Sequence, residues 1–399
     1  MMKDTKVANL IKAEKNRQKK FINLIASENF VSKDVLEALG SELTNKYSEG
    51  YPGRRYYGGN EIIDQVEDLA RTRALKLFGL KAKEWGVNVQ ALSGSPANLA
   101  VYTALVPKGE KIMGMSLRSG GHLTHGQSVS LTGQVWQQVP FEVDAKTETL
   151  NYEELKKLAI KEKPKLIVCG FTAYSRMVNF AKFREIADAC GACLMCDMSH
   201  FAGLVAGKQY PSPFKFCDVV TTTTHKTLRG PRGALIFARK DKMIKVKDKK
   251  ISLAEKIDKA VFPGLQGGPH QNQVAAMAVT LQEAMGAEFK NYAKQVKKNA
   301  ATLAKELAKL GWRIVSGGTD SHLLLMDVWE DGKGISGAEA EKRLGKVGII
   351  VNKNTIPNET RSPFDPSGLR LGTAAETTRG KKDKDFVKLA KRIDEVLRG

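Results

Sequence analysis

Cysteine is scarce in this chain: five in 399 residues, an odd number that argues against a disulfide framework. No apolar run is long enough to suggest a membrane helix. The first residues, Met1 to Lys6, lead into the charged Lys12-Ala13-Glu14-Lys15-Asn16-Arg17, not into an apolar signal region. A cytoplasmic protein is therefore expected. Internal repeats and low-complexity linkers are missing, which excludes solenoids and arrays. Acid is also in short supply: 43 Asp and Glu stand against 64 Lys and Arg, a net charge of +21. The lysines crowd Lys15 to Lys20, Arg239 to Lys250, Lys294 to Lys309 and Lys381 to Lys391. Such a field attracts polyanions. No nucleic-acid motif accompanies it, however, and the lysines alternate with Ala, Leu and Asp at helical spacing, as on a solvated face.

What is present is a soluble globular composition, 42% hydrophobic and 27% charged, with enough length for about two domains. Lys165 to Cys169, Ala192 to Cys196, Asp218 to Thr224 and Ala234 to Ala238 read as strands. Asn179 to Cys190 reads as an amphipathic helix stopped by Gly191. Ser95 suits a helix N-cap, with Pro96 at the first helical position. Strands alternating with helices indicate an α/β fold with a mainly parallel sheet flanked by helices. Past Pro269 the texture changes. Gln271 to Met285, Phe289 to Leu310, Gly337 to Gly345 and Lys384 to Arg398 read as helices. Trp312 to Ser316, Leu323 to Val328 and Ile349 to Asn352 read as strands. The expected division is a large domain over 1–270 and a smaller C-terminal α+β domain over 271–399.

Thr221-Thr222-Thr223-Thr224-His225-Lys226 ends one predicted strand, before a glycine-rich turn. A lysine at the floor of a cleft has a lowered pKa, and its neutral amine can form a Schiff base with a carbonyl. Ligands of open α/β sheets bind beyond the carboxyl ends of the strands. Thr172, Asp197 and Lys226 each follow a predicted strand in that way. Ser93-Gly94-Ser95 at a helix start adds an anion site suited to a phosphate. A lysine, an aspartate for a pyridinium nitrogen and a helix end for a phosphate are the parts that hold pyridoxal phosphate. Two other patterns carry less. Cys190, Cys193 and Cys196 form CxxCxxC, but His200 stands where a ferredoxin needs further ligands, and the segment reads as a buried strand. His122 and His125 form HxxH without further nearby ligands, so no metal is expected.

Nearly the whole chain resembles the serine hydroxymethyltransferases. The resemblance rests on Leu24-Ile25-Ala26-Ser27-Glu28-Asn29, Asn45 to Gly53, Arg55 to Gly59, Gly120 to Gly126 and the threonine–lysine run. It continues in Phe262-Pro263-Gly264, Gly267-Gly268-Pro269, Val351 to Asn354, Ser362-Pro363-Phe364 and Leu369 to Thr373. It implies a pyridoxal-phosphate fold of the aspartate aminotransferase type (fold type I). The implied reaction is reversible transfer of the serine hydroxymethyl group to a tetrahydropterin, most commonly tetrahydrofolate, leaving glycine. By the same resemblance Lys226 carries the cofactor, Asp197 keeps its ring nitrogen protonated and His122 stacks on the ring. Ser93, Gly94 and Ser95 bind the phosphate, while Thr172, His200 and His225 contact the ring hydroxyl or nearby polar atoms. Thr223 joins the catalytic set. Arg370 matches the arginine that clamps the substrate carboxylate, a bidentate task that suits a guanidinium. Tyr57 aids displacement of Lys226 by serine, and Glu49 handles protons around the substrate hydroxyl and pterin. Leu117, Gly121, Leu123, Asn354, Ser362, Pro363 and Phe364 resemble pterin-binding positions. The loop with Tyr47, Glu49 and Tyr57 reaches the neighbouring subunit's site in this family, as does the Gly267-Gly268 turn. A homodimer with shared sites is implied, and such dimers could pair into tetramers.

Thr172 replaces a common serine and keeps its hydroxyl, whereas Arg118-Ser119 departs from the usual proline and acid or histidine beside the pterin. Two rivals define the tests. A pyridoxal-phosphate aldolase cleaving threonine-type amino acids would need no pterin, which Asn354 and Ser362-Pro363-Phe364 argue against. A basic RNA-binding protein on an inactive fold would have no use for intact Lys226, Asp197, His122, Glu49 and Arg370.

Overall fold

Seven strands form the central sheet of the computed structural model, which describes residues 2–246 and 248–399. In chain order they are β1 (Trp85–Asn88), β2 (Lys111–Met115), β3 (Gln137–Phe141), β4 (Leu166–Cys169), β5 (Cys193–Asp197), β6 (Val219–Thr223) and β7 (Ala234–Arg239). Their spatial order is β1-β7-β6-β5-β4-β2-β3. Only β7 runs against its neighbours; β6 to β5, β5 to β4, β4 to β2 and β2 to β3 are parallel. The mainly parallel sheet expected from the strand–helix alternation is therefore present. Strands buried on both faces read as continuous apolar runs. In β4, Leu166 and Val168 point into one apolar layer and Ile167 and Cys169 into the other. Each such side chain contributes about 1.5–3 kcal/mol on burial.

Helices cover both faces. None of the residues of the first helix, α1 (Thr5–Lys20), is buried. α2 (Glu61–Phe78) and α4 (Phe180–Cys190) pack on one face, and α3 (Gly94–Leu105) on the other. Gly79 and Gly191 end α2 and α4 in the left-handed conformation. The α3 N-cap is Ser93, not the expected Ser95, and Pro96 falls at the third helical position. Proline fits there because the first intrahelical bond is Ala97 N to Ser93 O, so its missing N–H has no partner to lose.

Beyond the sheet, α5 (Gln271–Ala284) and α6 (Ala287–Lys309) lead to a three-stranded antiparallel sheet of order β8-β10-β9. Its strands are β8 (Leu323–Asp327), β9 (Asn352–Asn354) and β10 (Gly368–Gly372). α7 (Gly337–Lys346) and α8 (Asp383–Arg398) pack on it around Leu324, Leu369, Phe386 and Ile393. The predicted strand over Trp312 to Ser316 does not form: Ile314 makes one bridge to Met326, and a short 3₁₀ turn follows at Val315–Gly317. Two glycines there, with Ser316 at positive φ, turn the chain before a second pairing can form. The predicted strand Ile349 to Asn352 splits in two. Ile349–Ile350 pairs with Ile22–Asn23, and β9 begins at Asn352.

Candidate active site

The carboxyl ends of β4, β5 and β6 meet the start of α3 around a cavity of about 200 Å³. Ser93, Gly94, Ser95, His122, Thr172, Asp197, Thr223, His200, His225 and Lys226 line it, so ten residues singled out from the sequence are brought together. Sequence reasoning gave no place in the cofactor site to five lining residues: Ser27, His125, Phe171, Ser199 and Arg232. Ser27 lies inside the Leu24 to Asn29 motif, and Ser199 two residues past Asp197 is the spacing of an Asx turn. Arg232 in the glycine-rich turn carries no such signal. Gly94 is required for closeness, because a Cβ there would lie 2.7 Å from Thr223 Cγ2. The helix start thus abuts the end of β6. Ser93 makes no side-chain cap bond, which leaves its hydroxyl and the first amides of the helix for an anion.

Asp197 at the end of β5 is the most heavily bonded side chain of the site. Its Oδ1 accepts from Ser199 N (3.1 Å) and Ser199 Oγ (2.6 Å); its Oδ2 accepts from Asn98 Nδ2 (2.8 Å) and faces His125 Nε2 (3.3 Å). Asn98, on the inner face of α3, is held in turn by Thr221 and Thr124. Burial alone would raise this carboxyl's pKa. The hydrogen bond from His125 and the Asn98 amide instead hold it well below the usual carboxylate range. Asp197 therefore stays anionic under a low-dielectric roof. His122 accepts from Thr124 N through Nδ1 (3.2 Å), which fixes its ring. Burial and the neighbouring His125 push its pKa down to about 4, so the ring is neutral.

Lys226 Nζ donates to Thr223 Oγ1 at 3.1 Å. Burial pushes its pKa down to about 8, with the Arg370 and Arg232 charges adding to the drop and Asp197 opposing it. Arg370, buried in β10, donates from Nε to Asn352 Oδ1 (3.0 Å) and from Nη1 to Thr172 O (3.1 Å). Among the described residues no carboxylate lies within ion-pair distance of Arg370, Lys226 or Arg232. Burial lowers the Arg370 pKa to about 10.

A second cluster stands apart from this cavity. Gly267 lies beside Glu49, where a Cβ would be 3.1 Å from Glu49 Oε1, and Gly268 beside Ser48 and Glu49. Tyr47 OH donates to Glu49 Oε1 (3.3 Å), and the Tyr47 and Tyr57 rings meet edge to face at 5.3 Å. None of Tyr47, Glu49, Tyr57, Gly267 or Gly268 lines the cavity. This loop is nonetheless held firmly. Arg55 Nη1 donates to both carbonyls flanking Glu49, Ser48 O and Gly50 O, at 2.9 Å each. Its Nη2 pairs with Glu67 (2.8 Å), a carboxylate only 1% exposed that also accepts from Gln90. The candidate pterin positions also stand outside the cavity. Leu117, Gly121 and Leu123 follow β2, Asn354 ends β9, and Ser362, Pro363 and Phe364 form an outer turn with Phe364 85% exposed.

The donor set fits one kind of group: an aldehyde for the Lys226 amine, a basic ring nitrogen for Asp197, a flat ring for His122 and an anionic tail for the start of α3. Sheet and site together define a pyridoxal-phosphate enzyme of the aminotransferase-like fold. Comparison narrows this further. Residues 1–393 match the family described as serine hydroxymethyltransferase. The chain is 50% identical over 404 residues to the mitochondrial serine hydroxymethyltransferase of Saccharomyces cerevisiae, covering 99% of this chain and 82% of that protein. It is 51% identical over 400 residues to a serine hydroxymethyltransferase of Caenorhabditis briggsae, covering 98% and 78% respectively. The chain belongs to the serine hydroxymethyltransferase family. It is a transferase that uses pyridoxal phosphate and moves the serine hydroxymethyl group reversibly to tetrahydrofolate, giving glycine.

Proposed function

We propose the following division of labour for that reaction. Lys226 holds the cofactor at the cavity floor, Asp197 keeps the ring nitrogen protonated, and His122 covers one ring face. Ser93, Gly94, Ser95 and Arg232 hold the phosphate, with Thr172, His200, His225 and Thr223 around the remaining polar atoms. Arg370 clamps the substrate carboxylate and so orients the serine side chain. When bound, the cofactor supplies an electron sink for the pair left as the Cα–Cβ bond breaks. Tyr57 and Glu49 handle protons near the substrate hydroxyl and the pterin, with Tyr47 and the Gly267-Gly268 turn beside them.

One observation carries this reading: half-buried Lys226 lines the cavity, and buried Arg370 stands behind its wall, bonded to the carbonyl of the lining residue Thr172, and among the described residues neither cation has a carboxylate partner. Unpaired cations away from water are costly, and a ligand bringing a phosphate and a carboxylate offsets that cost. The test is a spectral titration with glycine and then tetrahydrofolate. In the parent protein a long-wavelength band should grow when the pterin is added. In Arg370→Ala the cofactor should stay bound while serine binding weakens by about 1.5–3 kcal/mol, ten- to a hundredfold. An unchanged serine KM removes Arg370 from the role.

The assembly is a homodimer with shared sites. Glu49 and its neighbours lie off their own cavity, and the same stretches of chain expose the large apolar side chains Leu36, Tyr56, Ile62 and Leu265. A second copy accounts for both facts. Residues 1–270 act as the cofactor-binding domain and 271–399 as the smaller domain that carries Arg370. Among the described residues no helix is long and apolar enough to cross a membrane. Five free cysteines fit a reducing compartment such as the cytoplasm.

A further inference from the structure

Asn29, half-buried at the end of the Leu24 to Asn29 motif, does not line the cavity and has no role in the division above. Its amide is nonetheless used in full. Nδ2 donates to Lys226 O at 2.9 Å and to Tyr292 OH at 2.8 Å, while Oδ1 accepts from Phe30 N at 2.9 Å and from Thr378 Oγ1 at 2.7 Å. These directions are forced. A backbone carbonyl only accepts and a backbone N–H only donates, so the amide nitrogen must face Lys226 and the oxygen Phe30. Tyr292, in α6, donates in turn to Thr227 O at 3.2 Å. Thr378 ends the short helix Ala374–Thr378, which follows β10 and its Arg370.

Further bonds converge on the same stretch of backbone. Lys226 O also accepts from Arg229 N at 3.1 Å, which closes the turn after the lysine. Arg229 has a φ of 60°, a left-handed backbone that residues other than glycine rarely adopt, and its guanidinium lies over the Tyr292 ring, 4.4 Å from the centroid. Thr227 Oγ1 donates to His200 O at 2.8 Å. At the other end of the side chain, Lys226 Nζ is held by Thr223 Oγ1 at 3.1 Å. The lysine is therefore fixed both at its peptide and at its amine. An amine on a tether reaches its target only from where the tether is rooted, and a small displacement of that root is costly in rate. On the carboxyl side of Lys226 the root is set by Asn29 and Tyr292, both outside the cavity.

We propose that Asn29 is a positioning residue: it ties the peptide of Lys226 to α6 and to the helix after β10, and so sets where the Lys226 amine meets an aldehyde. The inference rests on the role given to Lys226 above. The bond from Asn29 Nδ2 to Lys226 O places the amine for capture of the cofactor and does not shape the pocket that receives the ring and phosphate. The motif that supplies Ser27 to the cavity wall thus also roots the lysine from behind.

The test compares two ligands on the cofactor-free full chain. Pyridoxine phosphate, with an alcohol in place of the aldehyde, reports the pocket alone through its Kd in calorimetry. Pyridoxal phosphate reports the lysine, through the rate at which its bound absorbance appears in stopped flow above the Lys226 midpoint. In Asn29→Ala the capture rate should fall roughly ten- to a hundredfold while the Kd of the alcohol keeps its parental value. Capture at the parental rate overturns the proposal. So does a weakening of the alcohol by the same factor, which would make Asn29 a general support of the pocket. Where Asn29→Ala fails to fold, Asn29→Asp decides by the same two measurements, since it keeps the oxygen facing Phe30 and Thr378 and removes the donor to Lys226 O. Borohydride reduction and peptide mapping of the parent protein separate the two levels of the argument. A label away from Lys226 removes the role of that lysine and the inference with it, whereas a label on Lys226 with unslowed variants removes Asn29 alone.

Discussion

Asp197 and Glu49 are carboxylates assigned to one reaction, and they occupy opposite surroundings. Asp197 is 9% exposed, and its two oxygens meet four donors from three elements. Among the described residues the Glu49 carboxylate has one hydrogen-bond partner, the Tyr47 hydroxyl at 3.3 Å, and the backbone on either side of it is what the fold holds. The difference separates two tasks. A group that must keep one charge state is bonded on every side, whereas a group that must take and return protons is left free on a fixed support.

Replacement should break this comparison most visibly. Asp197→Ala should cost about 3–5 kcal/mol of stability, since it leaves Asn98, Ser199 and His125 buried without their partner. Glu49→Gln should stay within about 0.5 kcal/mol in chemical unfolding while kcat falls roughly 10²–10⁴-fold. Equal stability losses would mean that the two carboxylates are equally structural. The next effect is smaller. Lys226→Ala and Glu49→Gln, each inactive alone, should on refolding together recover about a quarter of the parental activity, because half the dimers carry one intact shared site. No recovery would place Glu49 in its own subunit's site. The smallest effect is a pH shift. Cofactor capture needs the neutral Lys226 amine, so with a pKa near about 8 the rate should rise about tenfold per pH unit below that value and level off above it. Stopped-flow absorbance would show this, and a midpoint near that of an ordinary lysine, about 10.4, would mean that the amine is solvated.

The cavity was largely legible before its geometry, for a simple reason. Parallel strands buried on both faces leave an apolar signature, and functional groups collect where those runs end; Thr172, Asp197 and Lys226 could be found by that rule. Asn98 and His322 could not. Asn98 lies on the inner face of α3, among Ala97, Ala100 and Val101, where periodicity marks only burial. His322 meets His200 across 122 residues of separation, which no local pattern encodes. The misread strand at Trp312 to Ser316 failed differently: the glycines after it decided the turn. The separation of Glu49 from Lys226 was implied by resemblance alone, since spacing along a chain says nothing about which copy a loop will serve.

The grip of Arg55 on the peptides either side of Glu49 has a consequence for how two copies join. In the proposed homodimer each protomer would bring its half of the neighbour's machinery already rigid, tethered to its own interior through Glu67. Little conformational freedom is left to be surrendered at the seam, so association resembles the closing of two finished castings more than a mutual folding.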